Sequence, residues 1–179
     1  MSSILKVDTI QTAAGGTPTA ADLGLNVSGS VLQVVSATKT DTFSSSTANV
    51  FTDISGLNVS ITPTSTSSKI MVFVSVQGVN GGTNAYFRLV RNSTAVGVGD
   101  TSGSRSSVSS SNVFPDNANS MKGSSFQFLD NPSTTSATTY KVQFITDGNT
   151  TYINRTPNDV DALYTGRSQS TITLMEIAG

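Results

Sequence analysis

The chain has 179 residues, with 10 Lys and Arg against 11 Asp and Glu, for a net charge of -1. Charged residues make up 12% of it, about half of the roughly 25% usual in soluble domains, and 29 Ser with 26 Thr fill the gap. Singly scattered Lys and Arg make no phosphate-binding patch, which excludes nucleic acid, and the absence of His and Cys removes histidine triads, cysteine nucleophiles, disulfides and the usual zinc sites.

Residues 1–29 differ from the rest of the chain. Ile4 to Ile10 is a strand-like patch, Ala13-Ala14-Gly15-Gly16-Thr17-Pro18 reads as a loop, and Ala20 to Leu25 has room for one helical turn. So short a segment cannot bury Ile4, Leu5, Val7, Ile10, Leu23 and Leu25 by itself. It reads as an anchoring arm that orders against a partner chain or a larger assembly; the competing reading is an edge strand of the main domain with a surface loop. Met-Ser-Ser-Ile-Leu-Lys has neither the basic start nor the apolar middle of a signal peptide, so the expectation is synthesis in the cytoplasm without export by that route. No apolar stretch approaches the roughly 18 residues of a membrane span, and no membrane insertion is expected.

From residue 30 to 179 the apolar period is two, the signature of strands half buried and half wet. Strands are predicted over Ser30–Lys39, Leu57–Thr62, Lys69–Val76 and Ala85–Arg91. The turn-like pair Asn92-Ser93 leads into Thr94–Val98. Ser124–Leu129, Thr139–Thr146, Thr150–Asn154 and Thr171–Ile177 complete the set, with a hairpin turn expected at Asp147-Gly148-Asn149, where Gly and Asn tolerate positive φ. Nine or ten strands without a long helix predict an all-β, antiparallel jelly roll or β-sandwich. Ser and Thr supply its wet face, and the Thr β-branch suits strand geometry.

Candidate sites are few. Asp100–Ser111 is a long Gly/Ser-rich loop carrying Arg105, either functional or merely solvated. The single Glu, Glu176, lies in the last strand and is expected either to face solvent or to pair with an Arg near an oligomer axis. Asp159 and Asp161, or Asp116 with Asn117 and Asn119, offer oxygens to Ca²⁺ without matching a calcium loop, and turn formation explains both better. No cofactor or metal is implied. Tyr152, Arg155, Asp159, Asp161, Tyr164 and Arg167 cluster in sequence as a candidate ligand patch for a host glycan or protein, against packing as the commoner fate of strand aromatics. No acid pair marks a glycosidase, so no catalytic residue is assigned and an enzyme is not expected.

The opening Ser3-Ile4-Leu5-Lys6-Val7-Asp8-Thr9-Ile10-Gln11 with Ala14-Gly15-Gly16 resembles the N-terminal segment of small structural proteins of tailed bacteriophages, marine cyanophages in particular. Val31-Leu32-Gln33-Val34-Val35, Phe87-Arg88-Leu89-Val90-Arg91, Phe128-Leu129-Asp130, Tyr140-Lys141-Val142-Gln143-Phe144 and Leu174-Met175-Glu176-Ile177 extend the likeness over most of the chain. The body looks like the C1q/TNF-type jelly roll of phage fibres and capsid decorations. The resemblance implies a homotrimer on the virion surface, attached by the arm to other capsid or tail proteins. A decoration or appendage is the first reading and a tail-fibre-like receptor-binding module the second. Phe and Val positions along 70–90 and 140–153 are expected to supply the apolar surface at the trimer axis.

Overall fold

A computed structural model describes residues 9–18, 23, 28–110, 113–114 and 116–179. Ten strands form among them: β1 (Val31–Lys39), β2 (Phe43–Ser45), β3 (Thr52–Ile61), β4 (Lys69–Asn80), β5 (Ala85–Arg91), β6 (Thr94–Val96), β7 (Lys122–Asp130), β8 (Thr138–Thr146), β9 (Thr151–Ile153) and β10 (Ser170–Ile177). The all-β prediction holds. β2, three residues long, is too short to show a period. β3 starts at Thr52 rather than Leu57 because Gly56, at φ 80°, breaks its alternation beside a register shift between Asp53 and Asn58.

Six strands make sheet A, in the order β1-β10-β4-β9-β2 with β7 also paired to β4, and four make sheet B, β3-β8-β5-β6. Gly78 of β4 faces Ile153 of β9 on one edge and Lys122 of β7 on the other. Hence β9 prolongs the line of β10, and β2 prolongs that of β1. The β5–β6 turn stays within one sheet, as do the interrupted lines β1/β2 and β9/β10; every other connection crosses between sheets. That is jelly-roll connectivity.

One expectation fails here. Asp147-Gly148-Asn149 does turn the chain, with Asn149 at φ 53°, but β8 and β9 are not a hairpin, since β8 belongs to sheet B and β9 to sheet A. The Asn80 amide explains the diversion: it donates to Thr146 Oγ1 at 2.9 Å, Gly148 O at 3.0 Å and Thr151 Oγ1 at 3.1 Å, steering the turn across the end of the sandwich. Asn92-Ser93, by contrast, is a true two-residue hairpin turn, with Arg91 facing Thr94.

Alternation places Ile70, Val72, Val74 and Val76 of β4 opposite Phe87, Leu89, Val142 and Phe144 of sheet B in one buried core. Gly97, at φ 60°, lets the chain pass Phe128, whose ring would stand 2.7 Å from an added Cβ.

Each end of this core is closed by buried polar groups. At one end Arg91 Nη1 meets both carboxylate oxygens of Asp130 at 2.8 Å, and the Tyr140 hydroxyl donates to Asp130 at 2.6 Å, linking sheet B to sheet A. Burial, then the neighbouring carboxylate, pushes the Tyr140 hydroxyl above the usual phenol range. In the same transverse row lies Glu176, fully buried; it neither faces solvent nor pairs with an Arg. Its oxygens accept from Gln33 Nε2 at 2.5 Å and from Thr64 N and Oγ1 at 2.7 Å, tying β1 and the β3–β4 loop to β10. Burial raises this carboxyl, yet those hydrogen bonds, with the Ser68 hydroxyl beside them, outweigh it and hold the group low.

At the opposite end Asn154, buried at φ 61°, donates from Nδ2 to Lys39 O and Asp41 O at 2.9 Å and accepts from Ser170 Oγ at 2.6 Å. It stitches the gap where β9 gives way to β10 and β1 to β2.

Asn154→Ala is expected to cost about 2–4 kcal/mol in urea unfolding, because two buried carbonyls and a hydroxyl lose their partner. Glycine, which keeps the φ but not the amide, should not rescue it. A carboxyl held low in the fold stabilises above its unfolded value and stops doing so as pH falls through its folded value. Glu176→Gln should therefore cost about 1–3 kcal/mol at neutral pH, with the gap to the parent protein narrowing below about pH 4.3 in pH-dependent melts.

Candidate functional site

The segment between β9 and β10, residues 154–169, brings together much of the patch predicted from sequence. Arg155 lies with its guanidinium 4.2 Å from the centre of the Tyr152 ring, so Tyr152 is packed rather than presented. Asp159 accepts from Arg167 at 2.7 Å and lies 3.4 Å from Arg155, and an isolated antiparallel bridge joins the backbones of the two arginines. Asp159, Asp161, Thr165 and Arg167 line a polar depression of about 290 Å³. Tyr164 is set apart, 64% exposed beside a fully exposed Leu163 at the loop's tip, with Val160 also outward. Thr165 Oγ1 donates to Val160 O at 2.6 Å and Ala162 O at 2.9 Å, which shapes the tip.

The neighbouring loop braces this one. Asn158 N donates to Ala118 O at 2.8 Å and Asn158 Nδ2 to Asn119 Oδ1 at 2.9 Å. Asn117 Oδ1 takes the Asn119 N–H at 2.8 Å and Asp116 pairs with Lys122 at 2.5 Å, so these oxygens serve the turn. Among the described residues no group of three or more His, Cys, Asp or Glu is arranged to hold a metal ion.

Of the predicted arm, Ile4, Leu5, Val7 and Leu25 lie outside the described residues, while Ile10 and Leu23 are exposed. A tight turn at Ala13–Gly16 is closed by Gly15 N to Thr12 O at 2.8 Å and Thr12 N to Gly16 O at 2.9 Å. Gly29 N donates to Ala178 O, and Ala178 N to Ser30 O, both at 2.8 Å. The chain thus enters the sandwich on sheet A, beside the end of β10.

Of the Phe and Val positions expected to supply an apolar surface along 70–90 and 140–153, Phe73 faces outward and the others are buried. Ile70, Val72, Val74, Val76, Phe87, Leu89, Val142 and Phe144 are core, because two apposed sheets bury their inward rows first. The surface apolar residues lie on the other side of sheet A. Register aligns Val34, Met175, Met71 and Leu129 in one row across four strands, with Phe73 in the next. Val34 is 53% exposed, Leu129 45% and Phe73 39%. Ser36, Thr173 and Gln127 share the row of Phe73; Thr38, Thr171, Ser75 and Ser125 form the row beyond. None of these side chains is charged.

Sheet B presents the opposite character. On its outer face Asp53 pairs with Lys141 at 2.7 Å and accepts from Gln143 at 2.6 Å, and Arg88 donates to Gln143 at 2.9 Å while covering the Phe51 ring. The sequence signal for this asymmetry was present in the outward positions of β4, β7 and β10, but only strand order shows that they adjoin.

No protein-family model matches the chain, and no curated protein does. Among solved structures it shows a weak likeness to a chain in the structure of infectious bursal disease virus, Gx strain, at 13% identity and TM-score 0.37, covering 84% of this chain and 39% of that one. It therefore spans about two fifths of that chain's length.

Exposed ion pairs contribute only about 0–1 kcal/mol each. Asp159→Ala is therefore expected to leave global unfolding almost unchanged. It should instead release Arg155 and Arg167, so that trypsin cleaves the 154–169 loop several times faster than in the parent protein; equal digestion rates would show that Asp159 does not hold the loop.

Proposed function

We propose that this protein is a structural subunit of a virion, a decoration or appendage that self-associates as a trimer through the outer face of sheet A and is attached to other virion proteins by its N-terminal arm. The observation that carries the reading is the uncharged row Val34–Met175–Met71–Leu129 with Phe73 beside it. Interface centres are depleted of charge and enriched in Met and aromatic residues, and an apolar row crossing four strands is more than the scattered exposed apolar residues of a monomer. The arm joins the body at Gly29–Ser30, along the same end of sheet A, which would place attachment and self-association together. Supporting the virion assignment are the resemblance of residues 3–16 to phage structural proteins and the jelly-roll connectivity. No catalytic role is part of this reading.

A second reading, recognition of a host surface, draws on one observation. The 154–169 loop carries Val160, Leu163 and Tyr164 outward at the end of the sandwich opposite the arm, where a partner bound at the base would leave them free.

Light scattering is expected to give three copies per particle at micromolar concentration. Leu129→Asp or Met71→Asp should weaken association at least about 100-fold, since each forces a charge into a desolvated apolar contact, while leaving circular dichroism unchanged. Removal of residues 1–29 should preserve the trimer and abolish incorporation into particles. A parent protein that stays monomeric would overturn the trimer, and incorporation without the arm would overturn the attachment.

A further inference from the structure

A groove on the outer face of sheet B, lined by residues of neither surface above, has the composition of a saccharide site. Two adjoining depressions of about 170 and 390 Å³ share Tyr86 and Ser106. Their floor is the cross-strand pair Tyr86 and Ile145 of β5 and β8, an aromatic ring beside an aliphatic chain. One wall carries Asp147 and Asn84, the other Arg105 and Ser106.

The walls are pre-formed. Asp147 accepts from Asn84 N at 2.9 Å and from Asn84 Nδ2 at 2.8 Å, which fixes its carboxylate. Hydrogen bonds from Asn84, then Thr83, hold that carboxyl below its ordinary range, so it remains an acceptor at neutral pH. The 100–110 loop is not merely solvated. Ser109 N and Ser110 N reach Phe87 O at 2.9 and 3.2 Å, while Phe87 N and Leu89 N donate back to Ser110 Oγ at 2.8 Å and Ser109 Oγ at 3.1 Å. The loop thereby satisfies the edge of β5 beyond β6 and holds Arg105 and Ser106 over the groove. Arg105 uses Nη1 on Ser102, at 3.0 Å to its hydroxyl, and the side chain is exposed, with further guanidinium donors besides that one.

We infer that this groove binds a neutral pyranose ring, as a single sugar or as one residue of a surface glycan. A pyranose presents an apolar C–H face that an aromatic ring can cover, and a rim of hydroxyls that both donate and accept. Tyr86 with Ile145 matches the face; Asp147 accepts, Arg105 donates, and Ser106 does both. One carboxylate and one guanidinium cancel, so nothing selects an anionic or cationic ligand. The site does not depend on self-association, because it lies on the sheet that a trimer packed through sheet A would leave in solvent.

The test is saturation-transfer NMR and titration on the full chain, with the methyl pyranosides of glucose, galactose, mannose and N-acetylglucosamine, and glucuronate as the anionic comparator. At least one neutral pyranoside should bind with millimolar affinity. Tyr86→Ala and Asp147→Asn should each weaken it about tenfold, and Tyr164→Ala, on the 154–169 loop and not among the groove's lining residues, should leave it unchanged. Should Tyr86→Ala fail to fold, Arg105→Ala, on an exposed side chain, replaces it with the same expectation. Absence of transfer from every neutral pyranoside, binding of glucuronate alone, binding undiminished in the folded groove variants, or loss with Tyr164→Ala would each overturn the inference. Light scattering on the same samples reads self-association separately, so failure of one reading does not mask failure of the other.

Discussion

Two sheets laid face to face leave a core open at both ends, where strands stop and backbone groups lose their ladder partners, and those groups must find others or cost free energy. This chain closes one end with the amides of Asn80 and Asn154 and the other with the carboxylates of Asp130 and Glu176. The choice follows from position. Asn can donate and accept at once, which suits Asn154 among two carbonyls and a hydroxyl, and it tolerates the left-handed φ needed there. Carboxylates only accept, which suits Glu176 facing a backbone N–H, a hydroxyl and an amide. The segment before β1 joins the sandwich beside Glu176, and the 154–169 loop springs from Asn154.

With the ends closed, the molecule has a direction. Arm entry and the apolar row of sheet A share one end; the exposed tip of the 154–169 loop occupies the other. The two outer faces differ as well, sheet A uncharged from the Val34–Leu129 row through the Thr38–Ser125 row, with Lys69 at its arm end, and sheet B carrying the Asp53–Lys141 pair and Arg88.

Period-two alternation made the long strands legible, β5, β8 and β10 to within a residue and β4 at its start, because each has one face in the core; β4 runs on past Val76 to Asn80. It could not reveal β2, which is too short, or the start of β3, where Gly56 resets the alternation. Asp147-Gly148-Asn149 marked a turn correctly, since turn chemistry is local, but the partner of the next strand depends on Asn80, far away in sequence. The same limit applied to sites. Arg155, Asp159 and Arg167 lie within one loop and were found together, whereas Val34, Met71, Leu129 and Met175 come from four strands and become neighbours only through register. Glu176 misled because an acid in an alternating strand ordinarily faces water; here it occupies an inward position at the end of the core, where hydrogen bonds offset burial.

The scarcity of charge removes chemistries, and it also has a structural sense. The ion pairs lie at strand ends, on loops or on sheet B: Lys39–Asp41, Arg91–Asp130, Lys122–Asp116, Lys141–Asp53, and Asp159 with its two arginines. None lies on the outer rows of sheet A, where Ser and Thr surround Met, Val, Leu and Phe. Desolvating a hydroxyl that can still reach a partner costs far less than desolvating a charge, so such a face can meet water in the free subunit and another protein in an assembly with little penalty either way. A Lys- and Glu-rich sheet would keep the monomer soluble yet resist docking. In this fold, Ser and Thr leave sheet A competent for both states.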